Sequence, residues 1–86
     1  PVKVYPNPNT GEFIIELLLS DEVNHIQIKI VSVLGQEIYF EKINLFSPVS
    51  GTYRKQIDLK KYASGIYQLQ VISNRGAVTR QITINK

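Results

Sequence analysis

The side chains that could carry out chemistry in this chain are few, and the sequence does not group them. One histidine and no cysteine occur among the 86 residues, which excludes disulfides, thiolate metal sites and cysteine nucleophiles. His25 stands where a predicted strand begins after a polar turn. Because no cysteine or second histidine can complete a metal site or a nucleophile–base pair, we interpret His25 as a surface residue and predict no metal ligands.

Two neighbouring carboxylates, Asp21 and Glu22, are the other candidates for chemistry. Glycoside hydrolysis needs carboxylates that face each other across a cleft, whereas adjacent residues of a turn normally face solvent. The glycines are spaced as turn residues, and none opens a phosphate-binding loop followed by a helix. These glycines are Gly11, Gly35, Gly51, Gly65 and Gly76. We therefore predict a domain that is not an enzyme, with no catalytic residue and no cofactor.

The charge pattern argues against a nucleic-acid-binding surface. Ten basic and seven acidic residues give a net charge of +3, and the basic residues are scattered along the chain. Nucleic-acid binding would want aromatic residues interleaved with Lys or Arg on one sheet face, and the nearest approaches are Tyr53-Arg54-Lys55 and Tyr39-Phe40. Exposed tyrosines could equally stack on sugar rings, so a carbohydrate-binding module stays an alternative.

The length and the two ends indicate the context of the domain. No apolar run approaches the ~18 residues of a transmembrane helix, and no signal peptide is recognisable. The chain opens at Pro1 and contains no methionine. We expect residues 1–86 to be a single domain cut from a longer polypeptide.

The last 22 residues carry the clearest structural pattern. Tyr67, Leu69 and Val71 alternate with polar residues, which is the period of a half-buried strand. A turn of Asn and Gly type follows at Ser73–Gly76, before a second strand that contains Ile82 and Ile84. The pattern predicts a β-hairpin at residues 65–86.

The rest of the chain also predicts short strands separated by turns. Pro6–Gly11 is a dense turn signal, and Leu34–Glu37 is typical of a tight hairpin. We expect a polar turn at 20–24, a loop at 44–52 and one helical turn at 60–64. About seven short strands without a helix of consequence predict an all-β, immunoglobulin-like antiparallel β-sandwich. A small barrel of the OB type is the structural alternative.

The order of the motifs resembles that of the C-terminal sorting domains of the type IX (Por) secretion system of Bacteroidota. The resemblance covers essentially the whole chain, although Val31-Ser32-Val33 stands where the family often carries an aromatic residue and an aspartate. The opening motif comprises Tyr5, Pro6, Asn7, Pro8, Gly11 and Phe13. The later motifs are Leu34-Gly35-Gln36-Glu37, Ile57-Asp58-Leu59, Ser64-Gly65-Ile66-Tyr67, Gly76 and the final Lys86.

The resemblance implies that the domain is a targeting signal carried by a cargo protein. Such a domain follows an N-terminal cargo that has reached the periplasm of a Gram-negative bacterium. It implies recognition by an outer-membrane translocon and its shuttle protein, and then removal by a sortase-like protease. The cargo would end on the cell surface or be secreted. A surface adhesion or carbohydrate-binding β-sandwich is the alternative function.

By resemblance, recognition by the translocon would centre on the last two strands. The matching positions are Gly65, Tyr67, Gly76 and Lys86, and we predict that Ile82 and Ile84 of the last strand also take part in recognition. A terminal strand can present an unpaired edge, which recruits a partner strand through backbone hydrogen bonds. We expect Lys86 to add a charge that fixes the register of such a partner.

Overall fold

The structure is a computed structural model that describes the backbone of residues 2–86. Side chains are described for residues 2–19, 23–44 and 51–86. Within this part of the chain all regular structure is β-strand. The strands are β1 (Val2–Tyr5), β2 (Glu12–Ser32), β3 (Glu37–Asp58), β4 (Gly65–Ser73) and β5 (Gly76–Ile84).

The two long strands each contribute two segments to the fold. β2 and β3 pair with each other antiparallel, and their register shifts between Leu19 and Val23 and again between Val23 and His25. On one side of these shifts residues 12–19 pair with 51–58, and on the other side residues 25–31 pair with 37–44. Together with β1, β4 and β5, this gives seven strand segments in two antiparallel sheets.

The first sheet has β1, the first half of β2 and the second half of β3. The second has the first half of β3, the second half of β2, β4 and β5. The prediction of an immunoglobulin-like sandwich is confirmed. The position of the fourth strand differs from that in constant immunoglobulin domains, where it belongs to the same sheet as the first and second strands. Here the fourth segment, residues 37–44, pairs with the third.

The core lies between the two sheets and is built from the alternation seen in the sequence. Successive strand side chains point to opposite faces, so the buried residues of a strand fall mostly at every second position. The buried hydrophobic residues are Phe13, Ile15, Leu17, Val23, Ile26, Ile28, Ile30, Ile57, Leu59, Tyr67, Leu69, Val71, Ile82 and Ile84. Burial of this kind stabilises a sandwich by about 1.5–3 kcal/mol for each large side chain before the entropy cost.

Three expectations about loops are wrong. The predicted turn at 20–24 and the predicted loop at 44–52 both lie inside strands, because these stretches face each other across the β2–β3 pair, with Val23 opposite Val49. Bulges absorb the irregular residues there without reversing the chain. The expected helical turn at 60–64 is instead a simple turn, in which the Tyr62 N–H donates to the carbonyl of Leu59 at 3.0 Å.

Both predicted hairpins are confirmed. The first reverses after Ser32, whose carbonyl accepts from the N–H of Gly35 at 2.9 Å. The second joins β4 to β5 through Asn74 and Arg75, with Ser73 opposite Gly76. Among the described residues only glycines have positive φ, so Asn74 does not use the left-handed region that its residue type allows.

Candidate functional site

Of the residues first considered for chemistry, the structure describes the side chain of His25. His25 is half-buried, and its Nδ1 lies 2.9 Å from Oδ1 of the adjacent Asn24. In the described part of the chain no three His, Asp or Glu residues meet as a metal site would require. The side chains of Asp21 and Glu22 fall outside the described residues. The remaining candidates are those of the opening motif and the last two strands.

The opening motif forms hydrogen bonds with the outer edge of β5. The Asn7 side chain binds two backbone groups of that strand: its Nδ2 donates to the Gln81 carbonyl at 2.9 Å, and its Oδ1 accepts from the Thr83 N–H at 3.0 Å. Asn9 continues the contact with its backbone, since its N–H donates to the Thr83 carbonyl and its carbonyl accepts from the Asn85 N–H. The two ends of the domain are thereby joined.

Asn9 is the buried polar residue at the centre of this contact, with 5% of its surface exposed. Its side chain folds the loop onto itself: Nδ2 donates to the Pro6 carbonyl at 3.0 Å, and Oδ1 accepts from the Gly11 N–H at 2.9 Å. This satisfies backbone groups that burial would otherwise leave unpaired. In the turn signal at Pro6–Gly11, Asn9 is a residue type whose side chain bonds to nearby backbone, and its bond to the Gly11 N–H confirms this interpretation. The contact of Asn9 with β5 was not predicted.

The rest of the opening motif supports the same junction. Tyr5 donates its hydroxyl to Oε1 of Glu16 at 2.9 Å, and the guanidinium of Arg54 contacts the same oxygen. These partners hold the pKa of the Glu16 carboxyl below its usual range. Phe13 is a core residue, and the carbonyl of Gly11 accepts from the Leu59 N–H at 2.7 Å.

Motifs that are distant in sequence meet at one end of the sandwich. Besides the Asn9 contacts, the Lys86 N–H donates to Oγ of Ser64 at 3.1 Å, and its ammonium contacts the carbonyl of Lys60. Tyr62 donates its hydroxyl to the Ile38 carbonyl at 3.2 Å, which brings the first hairpin to the same end. We call this region the motif end, and it comprises residues 6–11, 33–38, 57–66 and 84–86.

The residues predicted for recognition divide into exposed and buried sets. Gly65 and Lys86 are exposed at the motif end, and Gly76 is exposed in the hairpin at the opposite end of β4 and β5. The other three are core residues. They are Tyr67 at 7% exposure, Ile82 at 0% and Ile84 at 1%. Tyr67 also donates its hydroxyl to the Ala63 carbonyl at 2.6 Å.

Two exposed apolar residues also lie at the motif end. Leu34 is 93% exposed and Val33 is 75% exposed, both at the tip of the first hairpin. A cavity of about 310 Å³ lies beside them, between this hairpin and the start of β4, and Ile66 forms part of its wall. Apolar groups on a protruding tip are typical of contact surfaces.

Another arrangement that the sequence did not reveal lies between the two halves of β3. The Lys55 ammonium is 3.1 Å from Oε1 of Glu41, and Tyr39 donates its hydroxyl to the same carboxylate at 2.5 Å. Burial, followed by the bond to Glu41, raises the pKa of Tyr39. The group links the second sheet to the first.

These features define a class of protein: an all-β sandwich whose opening motif is bonded to its last strand and whose motifs lie mostly at one exposed end. The described residues contain no helix long and apolar enough to cross a membrane. Residues 3–85 match the family described as the secretion system C-terminal sorting domain, and the chain belongs to that family.

The domain is thus the C-terminal secretion signal of the type IX secretion system. It interacts with that machinery and serves export to the cell surface or the medium. A family of sorting signals points to a non-enzymatic role. No match is found among curated proteins.

Proposed function

We propose that this domain carries an N-terminal cargo from the periplasm through the outer-membrane translocon, with the help of a shuttle protein. A sortase-like protease then removes the domain, and the cargo stays on the surface or is released. The observation that carries the proposal is the family match across residues 3–85. The meeting of most of the family's motifs at one end of the fold supports it, with Gly76 at the opposite end.

The motif end is the surface of the folded domain that the translocon recognises. Lys86 and Gly65 are accessible there, and Leu34 adds an apolar contact. Tyr67, Ile82 and Ile84 act from the core, because they hold the two last strands in register beneath the exposed groups. Gly76 acts by closing the hairpin between those strands.

Proteolytic removal takes place between the cargo and β1. A protease needs an extended segment without backbone pairing, whereas β1 is paired with β2 along its four residues. The cut therefore leaves the sandwich intact and separates it from the cargo.

Surface delivery of a reporter protein fused ahead of residue 1 tests the proposal. The reporter should reach the surface of a bacterium with an intact type IX system, and it should stay in the periplasm of a translocon mutant. Leu34→Glu and Lys86→Gln should each reduce surface delivery several-fold while periplasmic arrival is unchanged.

Matched controls separate recognition from folding. Leu18→Glu places the same charge on a residue that is 61% exposed away from the motif end, and Lys42→Gln removes an exposed ammonium from β3. Both controls should deliver normally, and all four variants should keep the melting temperature. Equal delivery by test and control variants would overturn recognition at the motif end, and periplasmic retention of the unaltered fusion would overturn the sorting role.

The alternative of a carbohydrate-binding module gains no support from the aromatic residues. Sugar binding on a sandwich needs aromatic rings side by side on one face. Tyr5 is on β1 in the first sheet, whereas Phe40, at 51% exposure, is on the second sheet. The family match supports the sorting signal and not this alternative.

A further inference from the structure

The outer edge of β5 is closed along one half and open along the other. In an antiparallel ladder each residue directs its N–H and carbonyl to the same side, and the side alternates along the strand. The bonds from Asn7 and Asn9 show that Gln81, Thr83 and Asn85 point outward. Since the pairing with β4 has no register shift, Ala77 and Thr79 point outward too.

Several outward groups in the open half have no hydrogen-bond partner among the described residues. These groups are the N–H and carbonyl of Ala77 and the N–H groups of Thr79 and Gln81. The Thr79 carbonyl is covered only by the adjacent Arg80 side chain, at 3.0 Å. A row of free backbone groups on an edge strand is a template for a further strand. The edge itself thus specifies an extended peptide as its occupant.

The charge around this edge specifies the chemistry of that peptide. Residues 59–86 contain five basic residues and no Asp or Glu, whereas residues 1–58 contain five basic and seven acidic residues. Lys61 and Lys86 lie at the motif end, beside the closed half. At the open half, Arg80 forms no ion pair with a carboxylate among the described residues. The Arg80 guanidinium lies at the open half itself, and its hydrogen bonds to described residues go to the carbonyls of Val2 and Thr79.

We propose that the open half of the β5 edge, Ala77–Gln81, takes an acidic extended segment of the secretion machinery as an additional strand. Arg80 leaves the Thr79 carbonyl to the incoming strand and pairs with one of its carboxylates. The Pro6–Asn9 loop limits the added strand at the other end, because it already occupies the edge from Gln81 onward. This inference rests on the proposed function and names the partner chemistry that it requires.

Amide hydrogen exchange on the purified domain tests the added strand directly. The probes are a blocked peptide of alternating valine and glutamate, and the same peptide with lysine in place of glutamate. The free domain should exchange the amides of Ala77, Thr79 and Gln81 fast. The glutamate peptide at ~10 times its dissociation constant should slow them about tenfold, and the lysine peptide should not.

Every other pattern of exchange contradicts the proposal. Slowing by both peptides alike would refute the acidic selectivity, and slowing confined to β3 would place the docking strand elsewhere. Slowing at high protein concentration without peptide would make a second copy of the chain the occupant. If the domain binds phosphatidylglycerol vesicles and the peptides leave the exchange of these amides unchanged, the basic side chains bind a lipid surface and not an acidic peptide.

Two variants separate the backbone contribution from the charge contribution. Thr79→Pro removes one outward N–H at a position where an edge strand tolerates proline, and it should abolish peptide binding. Arg80→Gln should weaken binding several-fold and reduce its salt dependence, whereas Lys42→Gln on the opposite edge should do neither. If Thr79→Pro lowers the melting temperature strongly, Ala77→Pro tests the same edge beside the turn.

Reporter delivery distinguishes this inference from the proposed function. If the unaltered fusion reaches the surface and folded Thr79→Pro and Ala77→Pro fusions reach it equally well, the added strand is refuted while the sorting role stands. If the unaltered fusion is not delivered, the sorting role itself fails.

Discussion

At the residue scale, Asn7 and Asn9 form hydrogen bonds with the edge of β5 where a further strand could otherwise pair. A primary amide has one carbonyl and N–H donors, so the Asn7 side chain can bind a strand edge much as a peptide unit does. It bonds to Gln81 and Thr83 at 2.9 and 3.0 Å. Pro6 and Pro8 have no N–H to satisfy, so the loop brings few unpaired donors to the edge that it covers.

Replacing Asn9 with alanine should destabilise the domain by about 1–3 kcal/mol, because it leaves the buried Gly11 N–H and the Pro6 carbonyl without partners. For a domain of this length, a loss of 1 kcal/mol corresponds to about 4–8 °C in melting temperature. Thermal unfolding followed by circular dichroism measures the shift.

The matched control is Asn44→Ala, at an exposed position on β3 whose side chain has no hydrogen bond among the described residues. It should change the melting temperature by less than about 4 °C, since exposed substitutions usually stay within ±0.5 kcal/mol. Equal shifts for the two variants would show that Asn9 does not hold the junction.

At the element scale, the entry into β2 depends on a glycine. Gly11 has φ of 112°, and a Cβ at this position would lie 3.0 Å from the Cα of Lys60. Its carbonyl accepts from the Leu59 N–H, which holds the loop against the turn after β3. The close approach of two backbones at the motif end therefore needs both the positive φ and the absence of a side chain.

Gly11→Ala should destabilise the domain more than Gly35→Ala. Gly35 has φ of 84°, but no atom lies within 4 Å of the place that a Cβ would take, so its substitution costs only the backbone term of about 1–2 kcal/mol. Gly11→Ala adds a steric clash with backbone that cannot rotate away. Urea unfolding of both variants measures the difference, and equal midpoints would mean that the Lys60 backbone moves aside freely.

At the scale of the whole molecule, two different sets of contacts join the two sheets, one along each side of the sandwich. On the side of β1 and β5, the opening loop and the bond from Arg80 to the Val2 carbonyl at 3.3 Å join the sheets. On the β3 side, Glu41 and Lys55 join them through a half-buried ion pair. The hydrogen bond from Tyr39, followed by the contacts of Lys55, lowers the pKa of Glu41 against the opposing effect of burial.

This lowered pKa makes stability depend on pH. The folded carboxyl titrates below the unfolded value of about 4.3, so its contribution is complete above that pH and is lost as the pH falls through the folded pKa. Glu41→Gln should cost on the order of 1 kcal/mol at pH 7, because the pair is partly exposed. Its melting temperature should approach that of the unaltered domain at low pH.

Glu37→Gln is the control, since the 3.7 Å ion pair of Glu37 with Lys29 is exposed and contributes little. Melting temperatures between pH 3 and pH 7 provide the comparison. A constant difference between Glu41→Gln and the unaltered domain across this range would refute the role of the carboxylate charge.

Much of the architecture could be predicted from local patterns. The alternation of Tyr67, Leu69 and Val71 predicted the face that is buried, and the turn residues at 34–37 and 73–76 predicted both hairpins. The stretches at 20–24 and 44–52 misled the prediction, because polar residues, Pro48 and Gly51 signal a chain reversal. The pairing between the two long strands β2 and β3 kept both stretches in strands.

The site was less predictable, because its contacts join distant parts of the chain. The motifs were visible in order, but the bond from Asn7 to Gln81 spans 74 residues, and no local period reports such a contact. Glu41 and Lys55 likewise come together only because the two halves of β3 lie on different sheets.

By itself, the sequence determined which residues form most of the strands, which faces they bury and which family the chain resembles, since these follow from local alternation, turn chemistry and motif order. Only the tertiary structure decided which edge groups are free. The last strand looked like an open terminal edge, and its second half is in fact occupied by the opening motif. Backbone N–H and carbonyl groups bond to the groups that lie next to them in the folded chain. The open half of the β5 edge could therefore be located only from the tertiary contacts between the two ends of the chain.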